Sequence, residues 1–192
     1  EILHIEMGVK VVGVSDHTAA YYDPNGLPIP ELVLHVARTG VLAGWSSELL
    51  TDPKGLLTLP CDILAPCAVE RVIDGPTAEK LHCRILAEGA NGPTTPDADR
   101  VLDQRRDEVF LIPDILCNSG GVIVSYFEWV QGLQRLFWSE DEVNNRLKIL
   151  MTRAFAKVMH RSAKDGVSHR VAATAMGVER VQAAKRARGL FP

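Results

Sequence analysis

Short apolar runs alternate with amphipathic segments through the first part of the chain, and this alternation limits the fold more than any other feature of the sequence. Strands are predicted near Val9–Val14, Asp62–Ala65, Arg84–Ala87 and Glu108–Ile112. Helices are predicted between them, near Glu31–Arg38, Val69–Leu81 and Pro96–Arg105. Strands that alternate with helices form parallel sheets covered on both faces. The predicted fold class is therefore α/β, a Rossmann-like, doubly wound and mostly parallel sheet followed by C-terminal helices.

The first residues, EILHIEM, are predicted to form a helix that ends at Gly8, a residue type common just after helices. No capping residue precedes this helix, so we expect the chain to begin inside it and the natural protein to be longer. The first strand of the sheet and its glycine-rich turn are then expected to be missing. Because that strand normally lies at the centre, its neighbours are expected to carry unpaired backbone groups.

A helical unit is predicted for residues 139–192, packing on a sheet domain of residues 1–138. Ser139 and Glu142 have the spacing of a capping box. The helix that follows is predicted to bury one stripe and to end before Gly166; the stripe is Val143, Leu147, Leu150, Ala154 and Val158. Ser168 can cap the last helix, whose inward residues are predicted to be Val171, Ala175, Val178 and Val181.

Composition indicates a globular domain with a substantial core. The chain has 192 residues, of which 46% are hydrophobic and 23% charged, with a net charge of -3. No apolar run approaches the roughly 18 residues that span a bilayer. The last helix ends in cations, at Arg180, Lys185, Arg186 and Arg188. The helix dipole explains their place more simply than nucleic acid does, so neither a nucleic acid nor a membrane is an expected partner.

The four cysteines, Cys61, Cys67, Cys83 and Cys117, lack the CxxC spacing of zinc sites, and no metal is predicted. Three of them lie in or beside apolar strands. Buried free thiols in a reducing cytosol are therefore the favoured interpretation, and the predicted localisation is cytoplasmic.

The segment Glu88–Asp99, EGANGPTTPDAD, directly follows a predicted buried strand. It therefore lies at the carboxyl edge of the sheet, where open α/β sheets bind ligands. Small neighbours of Asn91 would let a ligand approach the backbone. Thr95 and Pro96 have the pattern of an N-cap followed by the first helical residue. A well-formed turn without a ligand is the alternative.

The segment Pro113–Gln131, PDILCNSGGVIVSYFEWVQ, is predicted to run as a strand through Asn118 into a Gly-Gly turn that opens a helix. Asn118, Val122 and Ser125 would then share one helix face. Free backbone N–H groups at Gly120, Gly121 and Val122 would favour an anion. The alternative is that the asparagine is only an N-cap and the glycines only end one element.

These two segments occur in order with GVKVVGVSDHTAAYYDPNGL at Gly8–Leu27 and CDILAPCAVERVI at Cys61–Ile73. Together the four segments cover much of the chain. In this combination the sequence resembles the C-terminal nucleotide-binding domain of the glutamate dehydrogenases, within the glutamate/leucine/phenylalanine/valine dehydrogenase family.

The resemblance implies reversible oxidative deamination of L-glutamate to 2-oxoglutarate and ammonia, with NAD or NADP, in a cytoplasmic homohexamer. The acid-base lysines and aspartate of that family lie in a preceding substrate domain. No catalytic residue is therefore expected in this chain, and the fragment alone is expected to be inactive. A noncatalytic regulatory relative, a dehydrogenase for another amino acid, and a general binding module remain as alternatives.

Cofactor preference is predicted from Ser15 and Asp16, at the end of the first predicted strand. An acid there can accept hydrogen bonds from the adenosine ribose and repel a 2'-phosphate, so NAD is favoured. His17 leaves NADP possible. An ordinary turn residue is the alternative interpretation of Asp16.

A second cofactor contact is predicted at Pro66, Cys67 and Ala68, where small residues would let the loop lie against the dinucleotide. Glu70 is expected to begin a helix whose N-terminus faces the pyrophosphate. Cys67 is interpreted as a small buried thiol and not as a nucleophile.

By resemblance, Asn91 would bind near the nicotinamide ribose, and Asn118 near the nicotinamide and the substrate. Val122 and Ser125 would contact the amino acid. A hydroxyl at Ser125 can bind the side-chain carboxylate of glutamate, which favours glutamate over apolar amino acids. Ser119 stands where the family usually has alanine, beside Asn118.

Overall fold

The computed structural model describes residues 2–189, so Glu1 and residues 190–192, which we assigned to the first helix and to the C-terminal unit, lie outside the described residues. The strands are β1 Gly13–Ser15, β2 Ala20–Tyr22, β3 Leu50–Thr51, β4 Ile63–Leu64, β5 Ile85–Ala87 and β6 Phe110–Ile112. The helices are α1 Ile2–Ile5, α2 Ile29–Thr39, α3 Pro53–Leu56, α4 Gly75–Glu79, α5 Pro96–Gln104, α6 Asp114–Cys117, α7 Gly120–Gln134, α8 Glu140–Asp165 and α9 His169–Arg188. Gly8 follows α1 with a φ of 65°, as predicted for the residue that ends this helix.

The parallel sheet has the order β4-β5-β6, and it confirms the predicted α/β class. Leu86 of β5 is fully buried and packs with Ile73, Leu81 and Leu102. Helix α5 begins as its sequence predicted, because the Thr95 side chain accepts a hydrogen bond from the Ala98 amide. The carboxyl ends of three neighbouring strands therefore meet at one edge of this sheet.

The first sheet is antiparallel and has the order β1-β2-β3, which the sequence did not predict. Its first strand is Gly13–Ser15 instead of Val9–Val14, and β2 returns beside it with Val14 opposite Tyr21. A four-residue turn reverses the chain, with the Asp16 amide donating to the Ala19 carbonyl over 3.0 Å. A tight turn leaves no room for a crossover helix, so the pairing is antiparallel.

The helix predicted at Val69–Leu81 is wrong in extent, because only α4 is helical there. The preceding residues pair with the loop after β5: the Arg71 amide donates to the Gly92 carbonyl over 2.8 Å, and the Ile73 amide to the Pro93 carbonyl over 2.9 Å. Arg71 has a φ of 57°, outside the helical region. Glu70 therefore lies in a turn and does not begin a helix that could face a pyrophosphate.

The C-terminal helices have the predicted ends. Ser139 and Glu142 form the capping box of α8, and Gly166 closes that helix in the left-handed conformation. The Ser168 side chain caps α9 by accepting from the Val171 amide. Val158 of the predicted α8 stripe is buried, but Leu150 is 42% exposed.

The predicted inward face of α9 is wrong for its three valines. Val171, Val178 and Val181 are exposed and Ala175 is half-buried, while Ala172 and Ala173 are buried. Small side chains let α9 pack closely on α6 and α8. This rotation also places the neighbouring Arg170 against three carboxylates at the sheet edge.

Among residues 2–189, no helix combines the length and the apolar character that crossing a membrane requires.

Candidate functional site at the carboxyl edge of the parallel sheet

The loops that follow β4, β5 and β6 contact one another at the carboxyl edge. The Ala90 amide donates to the buried Pro66 carbonyl over 2.8 Å, which joins the first two loops. A Cβ atom added at Gly89 would lie 2.6 Å from the Cys67 Sγ, so the loops approach as closely as a glycine permits. The Gly92 amide donates to the Asp114 Oδ2 over 2.8 Å, which joins the loop after β6 to the other two. The predicted site segments around Pro66, Asn91 and Asn118 therefore form one surface.

Asn91 and Asn118 are brought together at this surface. The Asn118 Nδ2 donates a hydrogen bond to the Asn91 Oδ1 over 2.7 Å, although the residues are 27 positions apart. Asn91 is exposed and Asn118 is half-buried. A primary amide has further donor and acceptor positions beyond one such bond, so the pair can present polar atoms to a ligand at the surface.

The prediction that a strand runs through Asn118 is wrong. Residues Asp114–Cys117 form the short helix α6, and Asn118 is its C-cap. Ser119 has helical dihedral angles, with φ -70° and ψ -9°, so α7 follows α6 almost without a break. The two glycines therefore open α7 itself instead of forming a separate turn, and the anion site at the backbone N–H groups of Gly120, Gly121 and Val122 stays a prediction.

Helix α7 turns its predicted substrate residues toward solvent. Val122 is 76% exposed, and Ser125 is also exposed. The Ser119 hydroxyl instead donates to the Leu116 carbonyl over 2.9 Å and lies 3.3 Å from the Met151 sulfur on α8. Ser119 thus contributes its hydroxyl to helix packing, while Ser125 is exposed.

Ser15 and Asp16 lie in the antiparallel sheet. Ser15 is exposed at the end of β1. The Asp16 Oδ1 accepts from the Thr18 amide at 2.7 Å, the Thr18 hydroxyl at 2.6 Å and the Ala19 amide at 3.0 Å. Its Oδ2 accepts from the Leu42 amide over 2.8 Å. Asp16 therefore has a structural role in the turn, and only Oδ2 keeps much accepting capacity for a ribose.

These contacts determine the charge of Asp16. Burial alone would raise its pKa, but the hydrogen bonds from Thr18, Leu42 and Ala19 together hold the pKa of this carboxyl well below its usual range. The group is therefore a carboxylate at any physiological pH. This permanent charge would oppose a 2'-phosphate placed nearby.

The substitution Asp16→Asn is expected to destabilise the protein at neutral pH, and the deficit should shrink in acid. An unfolded aspartate titrates near a pKa of about 3.9. The lower pKa of the folded state gives stabilisation that is complete above that value and is lost progressively as pH falls toward the folded pKa. Thermal unfolding of both proteins at about pH 7 and about pH 3 measures this. A deficit that does not change with pH would contradict the role of the charge.

The four thiols, which all lie in the described residues, are free and differ in exposure. Cys83 is buried. Its burial, and to a lesser degree the nearby Cys61, raise the pKa of the Cys83 thiol to about 11. Burial also raises the pKa of the half-buried Cys61 and Cys117. Cys67 is exposed, so its prediction as a buried thiol is wrong: its loop lies over Gly89 at the open edge and not in the core.

The sequence analysis did not predict the ion cluster that surrounds the buried Glu88 beside the site. Glu88, Asp99 and Asp114 all bond the Arg170 guanidinium. Glu88 and Arg170 are 82 residues apart, so no local spacing links them. One signal was present, since Glu88 follows an apolar strand directly and an acid at such a buried position needs a partner. Residues 2–189 contain no group of three or more histidine, cysteine, aspartate or glutamate side chains placed to hold a metal ion.

Comparisons with known proteins agree with this geometry. The family model described as glutamate/leucine/phenylalanine/valine dehydrogenase matches residues 1–189. A glutamate dehydrogenase of Thermotoga maritima is 43% identical over 188 residues, which are 97% of this chain and 44% of the relative. An NAD-specific glutamate dehydrogenase of Staphylococcus aureus is 41% identical over 184 residues, 96% of this chain and 44% of the relative.

Solved structures show the same similarity. The hetero-hexameric glutamate dehydrogenase of Thermus thermophilus, in a leucine-bound form, has a TM-score of 0.88 at 32% identity and covers 97% of this chain and 44% of its own. Glutamate dehydrogenase of Peptoniphilus asaccharolyticus has a TM-score of 0.76 at 31% identity, covering 97% of this chain and 42% of its own. The chain therefore spans less than half the length of these relatives.

Proposed function

Since the chain belongs to the glutamate/leucine/phenylalanine/valine dehydrogenase family, we propose that it is the nucleotide-binding part of an NAD-dependent glutamate dehydrogenase. The proposed reaction converts L-glutamate to 2-oxoglutarate and ammonia. The observation that carries the proposal is the contact between Asn91 and Asn118 at the carboxyl edge of the parallel sheet. Ligands of open α/β sheets bind at that edge, and the two amides offer donors and acceptors to a nicotinamide and its ribose.

The residues present fit a dinucleotide at this edge. The Cys67 sulfur packs against Gly89, and the small residues Cys67 and Ala68 are exposed, so a dinucleotide can approach the backbone of this loop. When bound, NAD supplies the acceptor for the hydride that leaves the amino acid. The role of the chain is to seat and orient that acceptor, through Asn91 and Asn118 at the nicotinamide end.

NAD is the proposed cofactor in preference to NADP. The Asp16 carboxylate stays charged because its pKa is lowered, and a like charge close to a 2'-phosphate is unfavourable. One relative is named as NAD-specific, and its similarity to this chain supports the same choice. The hydrogen bonds that already occupy Asp16 limit its direct contact with the ribose to Oδ2.

Glutamate is the proposed substrate because a hydroxyl, at Ser125, lies among apolar residues on the exposed side of α7. The side-chain carboxylate of glutamate gains a charge-assisted hydrogen bond from such a donor, whereas an apolar amino acid does not need one. Val122 would contact the aliphatic part of the same substrate. Acid-base groups are proposed to come from a substrate domain outside this chain, in a homohexameric and cytoplasmic protein.

Alkylation of cysteines in the natural protein tests cofactor binding. Cys67 is expected to react first with iodoacetamide at about pH 8, because it is exposed, and Cys83 last, because its buried thiol has a raised pKa. NAD is expected to slow the labelling of Cys67 and to leave that of Cys61 unchanged. Peptide mass spectrometry with and without NAD measures both rates. If NAD changes neither rate, or both equally, the loop of Cys67 does not contact the dinucleotide.

A further inference from the structure

The guanidinium of Arg170 joins helix α9 to three separate elements at the sheet edge. Its Nη2 lies 2.6 Å from the Glu88 Oε1, its Nε 2.9 Å from the Asp99 Oδ1, and its Nη1 3.0 Å from the Asp114 Oδ1. Glu88 follows β5, Asp99 is in α5, and Asp114 begins α6. One planar side chain thus fixes the relative positions of all three elements.

Two of these carboxylates hold the backbone that carries the asparagine pair. The Glu88 Oε2 accepts from the Asp114 amide over 2.9 Å. The Asp114 Oδ2 accepts from the amide of Gly92, the residue after Asn91, over 2.8 Å. The Asn118 amide in turn donates to the Asp114 carbonyl over 3.0 Å. A movement of Asp114 would therefore displace both loops of the proposed nicotinamide site.

The charges make this arrangement depend on Arg170. The Glu88 side chain has no exposed surface, and that of Arg170 is 21% exposed. Thr94 bridges the acids, since its hydroxyl lies 2.8 Å from Glu88 and 3.3 Å from Asp99, but it brings no charge. Without the arginine, three carboxylates would repel one another in a poorly solvated place. Burial would lower the pKa of Arg170, but Glu88, Asp99 and Asp114 raise it overall, so the cation persists.

We propose that Arg170 is a positioning residue of the proposed dehydrogenase: through Asp114 and Glu88 it sets the distance and orientation of Asn91 and Asn118, and so aligns the nicotinamide for hydride transfer. The inference rests on the proposed function. It also assigns a purpose to the C-terminal helices, because α9 supplies the arginine. The guanidinium bonds Asp99, Asp114, Glu88 and Thr94 and neither asparagine, so its effect on the reaction is indirect.

Arg170→Lys in the natural protein tests this proposal. A lysine keeps the charge but cannot bond three carboxylates in one plane. We expect kcat to fall by about 10- to 100-fold, since small misplacement of reacting groups has effects of this size. The KM for NAD should change less than about threefold, and the primary isotope effect with glutamate deuterated at Cα should rise as hydride transfer becomes rate-limiting.

The matched control is Arg161→Lys. Arg161 pairs with Asp165 and Glu179 on α8 and α9, so this variant also replaces a guanidinium that bonds more than one carboxylate. We expect its kcat and isotope effect to stay within about twofold of the unchanged protein. Equal losses in both variants, or an Arg170→Lys variant with unchanged kcat and isotope effect, would overturn the positioning role. If the unchanged protein does not oxidise glutamate, the proposed function itself fails, which is a distinguishable result.

A milder variant keeps the test valid if Arg170→Lys does not fold. Asp114→Asn removes the charge of the acid that joins Arg170 to the Gly92 amide, and its single side-chain oxygen can accept from only one of these two partners. We expect a smaller loss of kcat and a smaller rise in the isotope effect than in Arg170→Lys. An unchanged isotope effect in a folded Asp114→Asn protein would overturn the proposal.

Discussion

Glu88→Ala is expected to lower the free energy of unfolding by about 3 to 5 kcal/mol, the range observed when one partner of a buried ion pair is removed. The substitution leaves the half-buried Arg170 without its shortest contact, at 2.6 Å, removes the nearer of the two acceptors of the Thr94 hydroxyl, and leaves the amide of Asp114 without its acceptor. Alanine also creates a cavity in a place with no access to solvent. Urea denaturation of the two proteins measures the difference.

The matched control is Glu108→Ala, which also removes a glutamate paired with an arginine. Glu108 bonds Arg105 over 2.9 Å, but its side chain is 65% exposed. Surface pairs of this kind contribute about 0 to 1 kcal/mol, so the control should unfold almost like the unchanged protein. Similar small losses for both variants would show that the Glu88 cluster does not stabilise the sheet edge.

Ser125→Ala is expected to raise the KM for glutamate by about 10- to 100-fold, because a hydrogen bond to a charged group contributes about 1.5 to 3 kcal/mol. NAD binding should be unchanged, since the substitution removes only the donor proposed for the substrate carboxylate. Steady-state kinetics of the natural protein and a titration with NAD separate the two effects.

Ser119→Ala is the matched control for Ser125, since both are serines of the α7 region. Its hydroxyl bonds the Leu116 carbonyl over 2.9 Å and faces Met151, away from the proposed substrate. The KM of Ser119→Ala for glutamate should stay within about twofold of the value for the unchanged protein. If Ser125→Ala behaves like this control, Ser125 does not bind the substrate.

Elements with strong local signals could be predicted from the sequence. Thr95 and Pro96 specify the start of α5, and the capping box of Ser139 and Glu142 specifies the start of α8, because the groups that satisfy these helix ends are neighbours in the chain. The α/β class also followed from local patterns. Each carboxyl end of a parallel strand could then be placed at one edge, which is why the Asn91 and Asn118 loops were expected to meet.

Elements that depend on distant partners could not be predicted in this way. The segment before α4 has apolar spacing typical of a helix, yet it bonds the loop after β5 through Ile73 and Pro93. The turn after β1 is closed by Asp16, whose Oδ2 accepts from the amide of Leu42, 26 residues away. Short sequence windows contain neither partner, so tertiary contacts overrode local propensity.

The rotation of α9 shows the same limit. Its valines have suitable spacing for a buried stripe, but burial of Ala172 and Ala173 and the ion cluster of Arg170 determine which side faces inward. The cofactor and substrate roles of Ser15, Asp16, Pro66, Cys67, Ala68, Asn91, Asn118, Val122 and Ser125 stay predictions. Only the meeting of the segments around Pro66, Asn91 and Asn118 at the parallel sheet is a property of the fold.

A steady-state assay of the natural protein with L-glutamate and each nicotinamide cofactor tests the central claim most directly. We predict glutamate-dependent reduction of NAD, with a lower kcat/KM for NADP because of the Asp16 charge. We also predict that Asn118→Ala, which removes one half of the 2.7 Å asparagine contact, lowers kcat/KM for NAD. A folded protein that reduces neither cofactor with glutamate would contradict the assignment.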